Sequence, residues 1–146
     1  MTASSLTVPA KQLSAIAESL GSLSGLAVAY LHGSAARGRL RPASDLDIAL
    51  LFNGPAPLTN KLLSLSADLE TIAGRPVHLG ILSLENLIYA TEVYRHGKEI
   101  FCRDEDCRDL FLMQMLSAYV DYNYARREVL DAYLIRENDS DEYTAE

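Results

Sequence analysis

The stretches HGSAARG at residues 32–38 and SDLD at residues 44–47 decide how this chain folds. The first follows the short apolar run GLAVAYL at residues 25–31, and the second leads into the run DLDIALLF at residues 45–52. Apolar runs of this length, bounded by glycine or proline, are typical of buried strands. The sequence therefore predicts two strands, with polar residues at the end of one and at the start of the other.

Gly33 and Ser34 form a candidate phosphate site, because they lie where the first strand ends and where residues 35–37 are expected to begin a short helix. The free N–H groups at a helix start bind anions, and glycine allows close approach to the backbone. Ser34 adds a hydroxyl donor, and Arg37, one turn further on, can pair with a triphosphate. Taken alone, a Gly-Ser pair is more commonly an ordinary turn.

Asp45 and Asp47 are two positions apart. On a strand, this spacing places both carboxylates on one face, roughly 6.5 to 7 Å apart along the chain, which suits a pair of divalent cations. The alternative is that Asp45 belongs to a turn and Asp47 lies at an exposed strand end. Together with the phosphate site, the pair predicts nucleotidyl transfer, which needs groups that hold a triphosphate, bridge it with Mg²⁺ and stabilise charge as pyrophosphate leaves.

Along the rest of the chain, segments with the apolar spacing of a helix alternate with segments typical of a strand. This order predicts an α/β fold: a mixed, twisted sheet flanked by helices, with a long C-terminal helix. That last stretch has no Gly or Pro and carries more apolar residues than one core-facing stripe needs, so residues 119–133 are a candidate partner surface, with core packing as the alternative. The further predicted elements are helices at residues 9–20, 58–72 and 83–95, strands at 76–82 and 98–102, and one long helix or two abutting helices over 104–136.

Size and charge limit the function further. The 146 residues fit a single domain, predicted over residues 1–136, and five of the seven net negative charges lie in residues 137–146, predicted as a flexible acidic tail. The near balance of charge elsewhere argues against direct nucleic-acid binding through a basic patch. Since no apolar run approaches the ~20 residues of a membrane helix and the N-terminus lacks a secretory signal, a cytoplasmic protein without membrane attachment is expected.

These two stretches of sequence resemble a motif of a known protein family. HGSAARG followed by SDLDIA resembles the GS-x10-DxD motif of the minimal nucleotidyltransferases of the polymerase-beta superfamily, with Arg37, Gly38 and Ser44 in their usual places. Chain length and element order agree from about residue 10 to residue 135. The resemblance is greatest to the MntA-type antitoxins, small adenylyltransferases encoded with a HEPN-domain ribonuclease toxin.

This resemblance implies transfer of AMP from ATP to a tyrosine of a cognate HEPN toxin, which silences the toxin, and a hetero-oligomer of the two proteins. Gly33, Ser34 and Arg37 would then bind the nucleotide. Asp45 and Asp47 would be catalytic and would hold Mg²⁺ or Mn²⁺.

His78 departs from the family pattern, because the family usually carries a third carboxylate at this position of the next core strand. Neutral imidazole is a poor ligand for Mg²⁺ and an acceptable one for Mn²⁺, and it can accept a proton near neutral pH. His78 is therefore a third candidate catalytic residue, with a strand histidine bonded to a carbonyl or water as the alternative. His32, next to Gly33, is a weaker candidate for contact with the nucleotide.

Two other functions stay open from the sequence. A nucleotidyltransferase-fold antitoxin that lost catalysis with its third acid would act by binding alone. An enzyme that modifies a small molecule, such as an aminoglycoside, is the other alternative, although a chain of this length has no second domain to build a drug pocket.

Overall fold

The computed structural model of this chain describes the backbone of residues 7–144 and the side chains of residues 7–134. All the predicted strands and long helices are present, so the α/β class is confirmed. In chain order the elements are α1 (Ala10–Gly21), β1 (Leu26–His32), β2 (Leu46–Phe52), α2 (Thr59–Ala73), β3 (Val77–Ile81), a 3-10 turn (Leu84–Asn86), α3 (Leu87–His96), β4 (Lys98–Cys102) and α4 (Glu105–Thr144).

The four strands form one mixed sheet in the order β3-β2-β1-β4. β1 pairs antiparallel with both β2 and β4, whereas β3 runs parallel to β2 after the crossover through α2. The end of β1 therefore lies beside the beginnings of β2 and β3. This arrangement gathers the polar residues at those three strand ends along one edge of the sheet.

Each face of the sheet packs against a pair of helices, because alternate residues of a strand point to opposite faces. Ile48 and Leu50 of β2 belong to the core formed with α1 and α2, which also contains Ile16 and Leu69. Ala49 and Leu51 belong to the second core, formed with α3 and the first half of α4. Asp47 has the same parity as Ala49, so its side chain lies on the face of α3 and α4.

The prediction that residues 35–37 begin a helix is wrong. Residues 33–38 form consecutive turns, in which Arg37 N–H donates to the Gly33 carbonyl at 3.3 Å and Arg39 N–H donates to the Ser34 carbonyl at 2.8 Å. Gly33 and Gly38 both lie in the left-handed region, with φ of 71° and 66°. These two glycines bracket only four residues, which is too few for the repeated hydrogen bonds of a helix.

The C-terminal stretch is one helix, α4, of 40 residues rather than two abutting helices. It continues to Thr144, past residue 136, where the sequence analysis ends the domain. The division of the chain into a domain and a flexible tail stays a prediction, since the side chains of residues 137–146 lie outside the described part. Among the described helices, none is both long and apolar enough to cross a membrane.

Candidate functional site

Three polar side chains lie in a row across the sheet. Asp47 of β2 is directly opposite His32 of β1 and directly opposite His78 of β3. Residues opposite each other on paired strands carry their side chains on the same face. The structure therefore brings Asp47 and His78 together, as the nucleotidyltransferase interpretation requires, and adds His32 on the other side of Asp47.

Gly33 lies directly against the Asp47 carboxylate. A Cβ on Gly33 would be 2.5 Å from Asp47 Oδ2, closer than nonbonded atoms approach, and the backbone there has a positive φ. The positive φ favours glycine, and a side chain at residue 33 would displace the Asp47 carboxylate from its position beside the turn. About one third of the Asp47 side chain remains exposed, at 32%.

Asp45 precedes β2 by one residue and is exposed, whereas the sequence analysis began the strand at Asp45. The peptide groups around it are anchored from the turn between α2 and β3. The Arg75 guanidinium donates to the carbonyls of Arg41 at 2.9 Å and Ser44 at 3.2 Å. Leu46 N–H donates to the Pro76 carbonyl at 2.8 Å. Arg75 thus holds the loop that carries Asp45.

The candidate phosphate site is a turn instead of a helix start. Within residues 7–144, the turn occupies the N–H groups of Arg37, Gly38 and Arg39, and no backbone bond uses those of Ser34, Ala35 or Ala36. Consecutive unused N–H groups next to a left-handed residue form an anion-binding concavity. Ser34 is partly exposed and Arg37 is exposed on the same turn. The turn therefore keeps the donors that the sequence analysis assigned to the phosphates.

Tyr89 of α3 joins this site, although the sequence analysis did not identify it. Its hydroxyl lies 3.1 Å from His32 Nε2, and the two rings meet edge to face. It also occupies the space next to Gly80 of β3, where any Cβ would collide with the hydroxyl. A glycine inside a strand indicates close approach by another group. Gly80 was the one sequence signal that pointed to this contact.

Burial controls the protonation of the Tyr89–His32 pair. It lowers the pKa of His32, an effect that His78 reinforces and the Asp47 carboxylate opposes. Burial, with a smaller contribution from the Asp47 carboxylate, raises the pKa of Tyr89 to about 12. At neutral pH the phenol therefore keeps its proton and can donate it to Nε2 of a neutral imidazole, which places the ring proton on Nδ1.

His78 stands at the open edge of the row. Its side chain is 74% exposed, and its Nδ1 lies 4.0 Å from Asp47 Oδ1, longer than a hydrogen bond. The imidazole is thus next to the carboxylate and accessible to a molecule that approaches from solvent. This position is compatible with a proton acceptor for a bound substrate.

Asp45 and Asp47 are the two carboxylates at this edge of the sheet that could hold a divalent cation together with a nucleotide. Mg²⁺ is usually held by one or two carboxylates and completes its coordination with phosphate oxygens and water. Within residues 7–134, no group of three or more His, Cys, Asp and Glu side chains is arranged to hold a metal ion.

Solved structures with a similar fold are chains of toxin–antitoxin complexes. One is an MntA–HepT complex mutated from Asp to Glu at two positions (TM-score 0.66, 21% identity, covering 84% of this chain and 98% of that chain). Another is a toxin–antitoxin complex with AMP-PNP (TM-score 0.64, 21% identity, covering 85% of this chain and 97% of that chain). A third is a tri-AMPylated Shewanella oneidensis HEPN toxin in complex with MNT antitoxin (TM-score 0.65, 22% identity, covering 85% of this chain and 97% of that chain). At this identity the likeness establishes the fold.

No curated protein matches the chain significantly. The family model described as polymerase beta, nucleotidyltransferase matches residues 14–106, which include β1, β2, β3 and the whole row from His32 to His78. The chain therefore belongs to the polymerase-beta nucleotidyltransferase family.

Proposed function

We propose that this nucleotidyltransferase is an antitoxin that transfers AMP from ATP to a tyrosine hydroxyl of a cognate HEPN ribonuclease toxin, with which it forms a hetero-oligomer. The observation that carries the proposal is the contact of Gly33 with Asp47, which joins a turn with unused backbone N–H groups to the carboxylate proposed to hold the metal. A triphosphate bound by that turn would lie beside the carboxylates, where its charge can be neutralised.

The roles of the side chains follow from their positions. The N–H groups of residues 34–36, the Ser34 hydroxyl and the exposed Arg37 bind the phosphates. A divalent cation, Mg²⁺ or Mn²⁺, held by Asp45 and Asp47 would supply positive charge against the triphosphate and the leaving pyrophosphate. Arg75 keeps Asp45 in place, and Tyr89 orients the His32 ring next to Asp47.

The proposed reaction is a single displacement at phosphorus. The tyrosine oxygen of the toxin forms a bond to the α-phosphorus of ATP, and the bond from that phosphorus to the oxygen bridging to the β-phosphate breaks. Pyrophosphate leaves, and AMP stays on the tyrosine. The phenolic proton passes to His78, whose imidazole is exposed beside Asp47.

The solved structures of similar fold support this function by analogy. One complex contains a HEPN toxin that carries three AMP groups, and another contains the ATP analogue AMP-PNP. The two mutated aspartates of the MntA–HepT complex are two positions apart, the same spacing as Asp45 and Asp47.

A second candidate function is neutralisation of the toxin by binding alone. The observation that favours it is His78 at the position where the family usually has a carboxylate, because a site with one acid fewer holds a divalent cation less strongly. The two functions make the same complex and differ only in turnover.

The mass of the toxin after incubation distinguishes these functions. The full chain is mixed with the proposed cognate HEPN toxin, ATP and either Mg²⁺ or Mn²⁺. Added AMP groups on a toxin tyrosine, lost when Asp45→Asn and Asp47→Asn are combined, are the expected result. A stable complex without added mass would favour binding alone, and transfer to an aminoglycoside but not to the protein would favour the small-molecule enzyme.

A further inference from the structure

Helix α4 begins at the end of the sheet opposite the candidate site. The N–H groups of Arg103 and Asp104, just before the helix, donate to the Ala27 carbonyl at the start of β1, at 2.7 and 3.2 Å. Asn53, after the end of β2, donates to the Asp104 carboxylate at 2.9 Å. The helix therefore starts about one strand length away from the row of His32, Asp47 and His78.

The helix reaches the site end of the sheet near Tyr119. The hydroxyl of this residue lies 3.5 Å from the guanidinium of Arg95 in the last turn of α3. Gly97, two residues after Arg95, lies at the same end of the sheet: a Cβ there would be 3.4 Å from the carbonyl of Leu31, which precedes His32. Residues 120–144 extend α4 beyond this point by about 37 Å at 1.5 Å per residue. We call these residues the α4 extension.

The described side chains of the α4 extension, at residues 120–134, are mostly exposed, and many of them are apolar. From residue 120 to residue 134, every residue except Asn123 is exposed. Exposed large apolar side chains concentrated in one segment indicate an interaction site, and a helix without tertiary contacts is only marginally stable in water. Seven large apolar side chains in this segment are each at least 44% exposed: Val120, Tyr122, Tyr124, Val129, Leu130, Tyr133 and Leu134.

Charge identifies the kind of partner that fits. The α4 extension contains seven acidic and three basic side chains, a net charge of −4. Two copies packed in parallel would bring their acidic ends together, and antiparallel copies would bring that end against residues 105–109, which have a net charge of −2. An anionic membrane would be repelled as well. A protein surface with lysine and arginine around an apolar centre is complementary to the extension.

We infer that the α4 extension is the docking surface for the protein substrate, which it binds through an apolar patch bordered by basic residues of that protein. The inference rests on the proposed function, because it names the surface that recruits the acceptor of AMP. The extension leaves the domain at the same end of the sheet as Asp47 and His78. A protein docked on it would hold a tyrosine close to the bound ATP, which converts the transfer into a step within one complex.

Two matched variants test the inference with the proposed cognate HEPN protein as probe. Val129→Glu combined with Tyr133→Glu places charge on the extension at side chains that are 69% and 62% exposed. Leu63→Glu, at a residue of α2 that is 66% exposed, is the control on the other face of the sheet. Calorimetry measures affinity for the HEPN protein and for ATP, and the initial rate of AMP transfer is measured against the concentration of that protein.

The expected result is a weakening of HEPN binding, and a rise of KM for the HEPN protein, by about tenfold or more in the double variant, since central apolar contacts dominate protein interfaces. The kcat and the ATP affinity should be unchanged, and the Leu63→Glu control should behave as the native chain. Replacing Asp121, Glu128 and Asp131 together by Lys should weaken binding in the same way, and added salt should weaken native binding.

Several results would overturn the inference. Equal binding and equal KM in the native chain and the double variant would remove the extension from docking and leave the proposed transfer standing. A native dimer that the double variant converts to a monomer would show a second copy on this surface. Failure of the native chain to bind the HEPN protein would overturn docking and antitoxin function together, whereas binding through the extension without AMP transfer would keep the docking surface and contradict only the enzymatic proposal.

Discussion

His78 and Asp47 are paired in register across the parallel strands β3 and β2, with Nδ1 and Oδ1 4.0 Å apart. The imidazole therefore lies beside the carboxylate and is open to solvent, as the proposed role as a base for the incoming hydroxyl requires. The register of β2 with β3 is what places His78 next to Asp47 in the row.

If His78 accepts the proton, His78→Ala should lower AMP transfer by ~10² to 10⁴ while leaving ATP affinity nearly unchanged. His78→Asp should keep or raise the rate with Mg²⁺, because Mg²⁺ prefers oxygen ligands. His96→Ala removes another exposed imidazole, which lies 3.8 Å from Glu92 in the last turn of α3, and serves as the control. An unchanged rate in His78→Ala would exclude His78 from the mechanism.

Replacing Gly33 by Ala should abolish ATP binding, because the new Cβ would displace the Asp47 carboxylate. Gly74→Ala is the matched control: its φ of 68° is close to the 71° of Gly33, and a Cβ there meets nothing within 4 Å. Both variants should lose about 1 kcal/mol of stability from left-handed strain. Calorimetry with ATP and Mg²⁺ should separate them, and equal ATP affinity in both would contradict the close fit at Gly33.

Arg75→Ala should weaken metal-dependent ATP binding by about 10- to 100-fold, since it frees the loop that carries Asp45 and small misplacements in a site are costly. Arg75→Lys keeps the charge but lacks the planar fork that serves two carbonyls, so an intermediate loss is expected. The measurement is ATP affinity with and without Mg²⁺. A loss of equal size in both conditions would mean that Arg75 does not act through Asp45.

Tyr89→Phe should destabilise the fold by about 1 kcal/mol, because it removes the hydrogen bond to His32. Gly80→Ala should be more destabilising, since its Cβ would collide with the Tyr89 hydroxyl. The same substitution should cost less in the Tyr89→Phe background, where that oxygen is absent. Urea unfolding of the two single variants and the double variant measures this coupling, and simple additivity would contradict the contact.

Stability should fall as the pH rises from 10 through 12. Burial raises the pKa of both Tyr30 and Tyr89 to about 12, so the folded chain keeps protons that the unfolded chain loses near pH 10. Below pH 10 both states hold these protons and the two groups add no pH dependence. Tyr30→Phe should reduce the slope of unfolding free energy against pH above 10 and leave it unaltered between pH 7 and 9. Absorbance of the phenolate follows the titration directly.

Local patterns were enough to predict the strands, the long helices and the spacing of Gly33, Ser34, Asp45 and Asp47. Apolar periodicity reports burial one element at a time, and a strand or a helix repeats its own period whatever it packs against. The same reasoning failed at residues 35–37, where two left-handed glycines close a turn that the local composition favours as a helix start. Turn geometry there depends on backbone angles that residue preferences do not specify.

The neighbours of Asp47 were decided in three dimensions. The register of β1 with β2 and of β2 with β3 places His32 and His78 on either side of this carboxylate. Tyr89 lies 42 residues after Asp47 in the sequence, and Arg75 lies 30 residues after Asp45. No periodicity connects residues that far apart, because their contact arises from strand pairing and from burial of the faces that α2 and α3 cover. The sequence thus determined which chemical groups this protein has, whereas packing determined which of them meet.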